Sequence, residues 1–358
     1  MTARGYRTGS RTMVAAGLAP WFDTGVGTLS PGDQPLDVTR FDIESAAQRI
    51  AGRVRRTPVL DLEPGAFGSG ARISLKLELL QHTGSFKPRG AFNRMLTADI
   101  DRSGVLTASG GNFGLAVAYA AHELGHPAEI FVPATSPAMK VEKIRSYGAT
   151  VHVVPGYYAE AYAACEERAF DTGAAFLHPY DQPAVVAGQG TLAMELADQL
   201  PLIDTVLVAV GGGGLIGGIA AWFAGDVRVV GVEPAACPTL TAALEAGEPV
   251  DVDVGGVAAD ALGARRIGVI GFSIARHHVE RVTLVPEASI VEARRLLWEE
   301  CRVPAEPGAA TPLAALLSGA YLPAPNERVT LVICGGNADP ATLDAGPGPA
   351  AAAPDETD

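Results

Sequence analysis

Residues 76–92 read KLELLQHTGSFKPRGAF. Just before and into this stretch, ARISLKLELL (71–80) alternates, with Ile73, Leu75, Leu77 and Leu79 on one face, the period of a strand. A polar break follows at Gln81–Ser85. Beyond Lys87 the period turns helical, with Ala91, Phe92, Met95 and Leu96 on one stripe. Pro88 suits a first helical position, where its missing N–H has no intrahelical partner. Proline also pushes the preceding residue away from the α region, so Lys87 is expected to be extended at the mouth of a helix.

Most lysines are solvated surface charges. Lys87 has Phe86 and Phe92 for neighbours and small or hydroxyl residues around it. An enclosed, partly apolar setting favours the neutral amine, which is the nucleophilic form.

The 358 residues suit one large or two intimate α/β domains, and 48% are hydrophobic, enough for a sizeable core. A net charge of −13 argues against nucleic acid or an anionic membrane as partner. Cys165, Cys237, Cys301 and Cys334 are scattered without CxxC spacing, which fits a reducing compartment better than disulfides or zinc. No apolar run is long enough to span a membrane, and the patch Met13–Leu18 is too short and interrupted for a signal peptide. A cytoplasmic protein is expected.

The first forty residues are rich in Gly, Thr, Ser and Pro without a period and read as a flexible arm. Ile43, Ala46, Ala47, Ile50 and Val54 make a helical stripe with Asp42 as its N-cap. From residue 105 strands alternate with helices: VLTAS, then 113–124, AEIFVP, a helix from Ser136-Pro137 to Gly148, TVHVV, a helix near 158–170, and AAFLH. A second series runs from about 185 through a helix at 192–200 and the strands DTVLVAV, VRVVGVE and VTLVICGG. Alternation of this kind means βαβ units and parallel sheets. The end of the chain, rich in Ala, Pro, Gly and acid, reads as disordered.

Three further motifs could carry chemistry. Ser109-Gly110-Gly111-Asn112-Phe113-Gly114 lies between a strand and a helix, where free N–H groups favour an anion; an ordinary βα turn is the plain alternative. Gly211-Gly212-Gly213-Gly214-Leu215 follows VLVAV and can converge N–H groups on a phosphate. Locally it also fits a dinucleotide fingerprint, with Glu233 where a ribose-binding acid belongs. A P-loop is excluded, because no Lys-Ser/Thr follows. Cys334-Gly335-Gly336-Asn337 ends the last strand, and its plain reading is a buried cysteine and a turn.

Taken together, these segments resemble the pyridoxal-phosphate (PLP) serine/threonine dehydratases of the tryptophan-synthase-β-like, fold type II group. The segments 133–151, 178–196, GVEP (231–234) and ADALGARR (259–266) extend the likeness over about residues 41–340 in unbroken order. The resemblance implies that Lys87 carries the cofactor as a Schiff base beside Phe86. It implies that Gly211–Gly214 and Leu215 hold the phosphate, that Asn112 bonds the phenolic oxygen and that Cys334 faces the ring nitrogen. Ser109, Gly110, Gly111, Asn112 and Phe113 would bind the substrate carboxylate. Phe113 departs from the family pattern and is expected to reshape the pocket. Glu306 stays open between a cofactor-side acid and a surface acid. Ser85 is a candidate acid/base on the face opposite Lys87. The family's divalent site is weakened by Thr239 and Cys237, and no metal is expected.

The expected fold is thus a two-domain α/β enzyme. Residues 41–103 and 185–340 would form a large domain and 104–184 a small one, between an arm at 1–40 and a disordered tail at 341–358. The expected activity is β-elimination from a β-hydroxy amino acid to a 2-oxo acid and ammonia, in a homodimer. Racemisation and β-replacement share such a site. A dinucleotide-dependent oxidoreductase and a non-catalytic binding protein are alternatives of other classes.

Overall fold

The computed structural model describes residues 38–343. Residues 1–37 of the arm expected at 1–40 and residues 344–358 of the tail expected at 341–358 lie outside these residues, while Thr39 and Arg40 already begin the first helix. The first helix, α1 (Arg40–Ile50), opens on a reciprocal cap. Thr39 Oγ1 accepts the Asp42 N–H at 3.3 Å, and the Asp42 carboxylate accepts the Thr39 N–H at 2.9 Å. Asp42 is therefore the third helical residue of a capping box rather than the N-cap, because Thr39 offers the better-placed hydroxyl. Val54 lies beyond the helix end.

Next come β1 (Val59–Asp61), β2 (Arg72–Lys76) and α2 (Pro88–Thr97). The strand expected through Leu79 stops at Lys76, and two 3₁₀ turns, Glu78–Leu80 and His82–Gly84, replace the rest. Alternation continues there because Leu77 and Leu79 still pack into the main core. Four βα units follow: β3 (Val105–Ala108), α3 (Asn112–Leu124), β4 (Ala128–Pro133), α4 (Ala138–Ser146), β5 (Thr150–Val154), α5 (Tyr158–Thr172), β6 (Ala175–Phe176) and α6 (Pro183–Gln199). The strand expected at 174–178 shrinks to two residues. Gln182 terminates it, its Oε1 accepting the His178 N–H and its Nε2 donating to Phe176 O.

The chain continues through β7 (Thr205–Ala209), α7 (Gly214–Phe223), β8 (Arg228–Pro234), α8 (Thr239–Ala246), α9 (Ala259–Leu262), α10 (Val269–His278), β9 (Arg281–Val285), α11 (Glu287–Cys301), α12 (Pro307–Leu317) and β10 (Arg328–Val332). Helices α8, α9, α10 and α12 are not among the elements expected from the sequence. In α12 the breakers Pro307, Gly308 and Pro312 hid the helix. Proline at the first position is harmless. The carbonyl of Gly308, four residues before Pro312, instead accepts the Thr311 hydroxyl at 3.0 Å. At the far end, Pro340–Thr342 forms a 3₁₀ turn and Leu343 is buried. The Arg294 guanidinium bonds Thr342 O and Oγ1, which orders a stretch expected to be disordered.

Two sheets result. The larger has the order β1-β2-β10-β7-β8-β9, all parallel except β1 against β2; the smaller has the order β5-β4-β3-β6 and is wholly parallel. Residues 105–176 supply every strand of the smaller sheet. The central strands β3, β7 and β10 are buried on both faces, as βαβ crossovers require. Among the described residues no helix is long and apolar enough to cross a membrane.

Candidate active site

Parallel sheets gather whatever follows their strands at one edge. Here Lys87 follows β2, Ser109–Phe113 follow β3, Gly211–Leu215 follow β7 and Cys334 follows β10. All four segments line a single cavity of about 1270 Å³ between the two sheets, together with Phe86 and Glu306.

Lys87 is not extended. Its φ of −57° and ψ of −32° are helical, and it is the N-cap of α2. Its carbonyl takes the first intrahelical bond, from the Ala91 N–H at 3.1 Å, while Phe86 O accepts the Arg89 N–H. Those bonds outweigh the pre-proline preference. The Nζ donates to Pro179 O at 3.0 Å and lies 5.0 Å from the Phe86 ring and 5.5 Å from the Phe113 ring. Burial disfavours its ammonium form and lowers its pKa to about 8, against weaker opposing pulls from Cys334 and Glu306.

Behind Lys87 lies a buried ionic cluster that fixes α2. The Arg89 guanidinium donates to both oxygens of Glu78, at 2.7 and 2.9 Å, and to Glu195 Oε2 at 2.9 Å; Lys76 Nζ reaches the same Glu195 oxygen at 2.7 Å. Two cations and two carboxylates cancel, so the group is tolerable when buried. The turn that presents Pro179 is held by His178, whose Nδ1 accepts the N–H groups of Tyr180 and Asp181 at 3.3 and 2.9 Å. Desolvation lowers His178 to about 4, which keeps it neutral and accepting.

Two sets of free N–H donors face this lysine's cavity. Gly213, at φ +88°, is the N-cap of α7, a conformation open to glycine. Among the described residues, none of the N–H groups of Gly211–Leu215 bonds another backbone carbonyl. Asn112 and Phe113 open α3 in the same way. A helix N-terminus with unpaired N–H groups suits a phosphate or carboxylate. The Cys334 thiol is buried, and burial pushes its pKa up, so it stays a neutral partner. Its carbonyl accepts the Phe86 N–H at 3.1 Å, tying β10 to the lysine turn. All four cysteines are free thiols. A buried amine, unpaired N–H groups at a helix start and an uncharged thiol in one cavity are groups that fit pyridoxal phosphate.

Ser85 differs from expectation, and the open alternative at Glu306 closes. Ser85 does not line the cavity: it is fully buried, its Oγ has no hydrogen-bond partner, and its backbone bridges Gly335. A strand-like bridge at 85 turns that side chain into the protein, so a role as acid/base opposite Lys87 is withdrawn. Glu306, left open above, is no surface acid. It is 3% exposed and its Oε1 accepts the Asn112 Nδ2–H at 2.6 Å. Its place in Ala305-Glu306-Pro307-Gly308, ahead of an unforeseen helix, gave the sequence little to distinguish it. Glu233 is buried and bonds the Leu240 N–H, the Thr241 N–H and the Thr241 hydroxyl at 2.6–3.0 Å. It caps α8, which leaves no carboxylate oxygen for a ribose and removes the key support of the dinucleotide alternative.

Comparison with known proteins agrees with this chemistry. Residues 50–335 match the family described as "Pyridoxal-phosphate dependent enzyme". The chain is 40% identical over 313 residues to an L-threonine ammonia-lyase of Geobacter sulfurreducens, covering 84% of this chain and 76% of that one. It is 34% identical over 317 residues to a phenylserine dehydratase of Ralstonia pickettii, covering 86% and 97%. The structure is similar to that of maize serine racemase, with a TM-score of 0.82, 33% identity and coverage of 86% and 95%. The architecture is that of the tryptophan-synthase-β-like, fold type II enzymes.

Proposed function

The chain belongs to the family of pyridoxal-phosphate dependent enzymes, and from that premise we propose that it eliminates water from a β-hydroxy amino acid of the L-threonine or L-serine type. The enamine so released hydrolyses to a 2-oxo acid and ammonia. The observation that carries this reading is the buried Lys87 amine, lowered to about 8, in one cavity with two N–H-rich helix starts.

Pyridoxal phosphate bound there supplies the electron sink that acidifies the substrate Cα–H and lets the β-hydroxyl depart. Gly211–Leu215 hold its phosphate, and Phe86, Asn112 and Cys334 bound the ring. Ser109–Phe113 receive the substrate carboxylate at the start of α3. Neutral Lys87 takes the α-proton at Nζ, and the two aromatic rings beside it keep water away. The buried, cavity-excluded Ser85 supports elimination over racemisation, which needs a base on each face. The threonine ammonia-lyase relative supports the substrate class.

A bulkier β-hydroxy amino acid is the second reading. Phe113, Tyr157 and Tyr158 line the cavity and offer aromatic surface to a larger side chain. The ratio of kcat/KM for L-threonine and for 3-phenylserine decides between them. We take residues 41–103 with 185–340 and residues 104–184 as two lobes, because the smaller sheet lies entirely within the latter. A cytoplasmic homodimer completes the proposal; sedimentation at two protein concentrations tests the dimer.

The visible spectrum of the purified protein tests the site. The wild type should carry the yellow band of a lysine-bound cofactor, and Lys87→Ala should lack it. A band that survives in Lys87→Ala would overturn the assignment of Lys87.

A further inference from the structure

Glu306 is a buried carboxyl group that the proposed chemistry does not yet use. It lines the cavity at the start of α12, and its Oε1 is occupied by the Asn112 Nδ2–H at 2.6 Å. Its Oε2 is buried with no hydrogen-bond partner. An ionised carboxylate left so would forgo its hydration with little in return, whereas a neutral acid needs only an acceptor for one O–H. The backbone is shaped around it: the Glu306 N–H bonds Gly335 O at 3.1 Å, and a Cβ at Gly335 would overlap Glu306 Oε1.

Asn112 is fixed from its other side as well. Asn337 Nδ2 donates to Asn112 Oδ1 at 2.9 Å and to Thr83 O at 2.7 Å. The Thr83 carbonyl sets which end of the Asn337 amide points where. Asn337 then dictates that Asn112 presents its oxygen to Asn337 and its Nδ2 to Glu306. One N–H of Asn112 remains for a ligand, in a single orientation.

We propose that Glu306 is a further functional residue of this site, held as the neutral acid: its Oε1 fixes the Asn112 amide, and its Oε2–H donates to the group that occupies the cavity beside Asn112. Asn337 is a positioning residue acting through Asn112. The proposal rests on the reading that pyridoxal phosphate occupies this cavity from Lys87. The charged and titratable groups facing Glu306 are Lys140 of α4, Asp260 of α9, Lys87 and Cys334. Lys140 is itself paired with Asp260, which draws its charge partly away from Glu306. Desolvation, with Asp260, outweighs Lys140, the Asn112 amide and the nearby Asn337 N–H and raises the Glu306 pKa.

The test uses the holoenzyme and three variants, Glu306→Gln, Glu306→Ala and Asn337→Ala. An infrared difference spectrum of wild type minus Glu306→Gln at neutral pH should show a protonated-carboxyl C=O stretch; its absence overturns the proposal. Glutamine keeps an acceptor for Asn112 and a donor for the cavity, so Glu306→Gln should retain the visible absorption maximum and kcat within about threefold, while Glu306→Ala should lose about 10²-fold in kcat and shift the maximum. Gln as damaging as Ala overturns it. If Glu306→Ala does not fold, the infrared band and the Gln variant decide alone. Asn337→Ala should shift the absorption maximum in the same sense as Glu306→Ala; an unmoved maximum overturns its positioning role. Borohydride reduction and peptide mapping separate the two levels: cofactor fixed to a lysine other than Lys87 refutes the site reading and with it the donor role, whereas cofactor on Lys87 with no carboxyl band refutes only the role of Glu306.

Discussion

At the scale of single residues the chemistry is a matter of which charges burial forbids. Lys87 titrates near 10.5 when solvated and near 8 here, so it is an ammonium below about pH 8 and a free amine above. The folded chain binds fewer protons than the unfolded one between those values, so its burial costs least at high pH. In the cofactor-free protein, acylation of Lys87 should rise with a midpoint near pH 8; a midpoint near 10.5 would contradict the enclosed site. His178 has the same sign lower down. Its pKa falls from 6.5 to about 4, so its stabilising contribution is complete above pH 6.5 and is lost as the pH falls through 4. The urea midpoint should drop across that window, and less so in His178→Asn, which keeps an acceptor. Lys87 was legible because phenylalanines flank it in sequence. Glu306 was not, because its meaning comes from Asn112, 194 positions away, and no local pattern encodes such a pair. Ser85 misled for the converse reason: proximity in sequence to Lys87 says nothing of which side of a turn it faces.

At the scale of elements, strands and the longer helices followed from period and caps. What escaped were helices whose residues break local rules and whose stability is tertiary, as in α12 with its inner proline. Close helix packing is similar. A Cβ at Gly218 of α7 would come within 2.5 Å of Gly190 N and Val186 O in α6, both rigid backbone. Gly218→Ala should therefore destabilise by about 1–3 kcal/mol, read as a lower urea midpoint at unchanged slope. The ionic cluster makes a stronger claim on α2. Arg89→Ala leaves Glu78 buried without its guanidinium partner and should cost about 3–5 kcal/mol. Equilibrium unfolding measures it, and a loss under 1 kcal/mol would show the cluster to be dispensable for stability.

At the scale of the molecule, two parallel sheets bring the ends of β2, β3, β7 and β10 to one cavity, although the residues concerned span 87 to 334. The alternation of strands and helices foretold parallel sheets. The sheet order, with β10 between β2 and β7, was beyond periodicity, yet it is what sets Cys334 beside Lys87. A ligand that contacts both sheets stabilises the folded state by mass action. Saturation with pyridoxal phosphate at about 100 times its dissociation constant should add about 2.7 kcal/mol, seen as a raised melting temperature in wild type and a smaller rise in Lys87→Ala. The most direct trial of the whole account is release of 2-oxo acid from L-threonine and L-serine by the cofactor-loaded protein, with Lys87→Ala alongside. The loaded wild type should release 2-oxo acid and ammonia in equal amounts from at least one of the two, and the variant none. A cofactor-loaded wild type that turns over neither amino acid, or a Lys87→Ala variant as active as wild type, would contradict it.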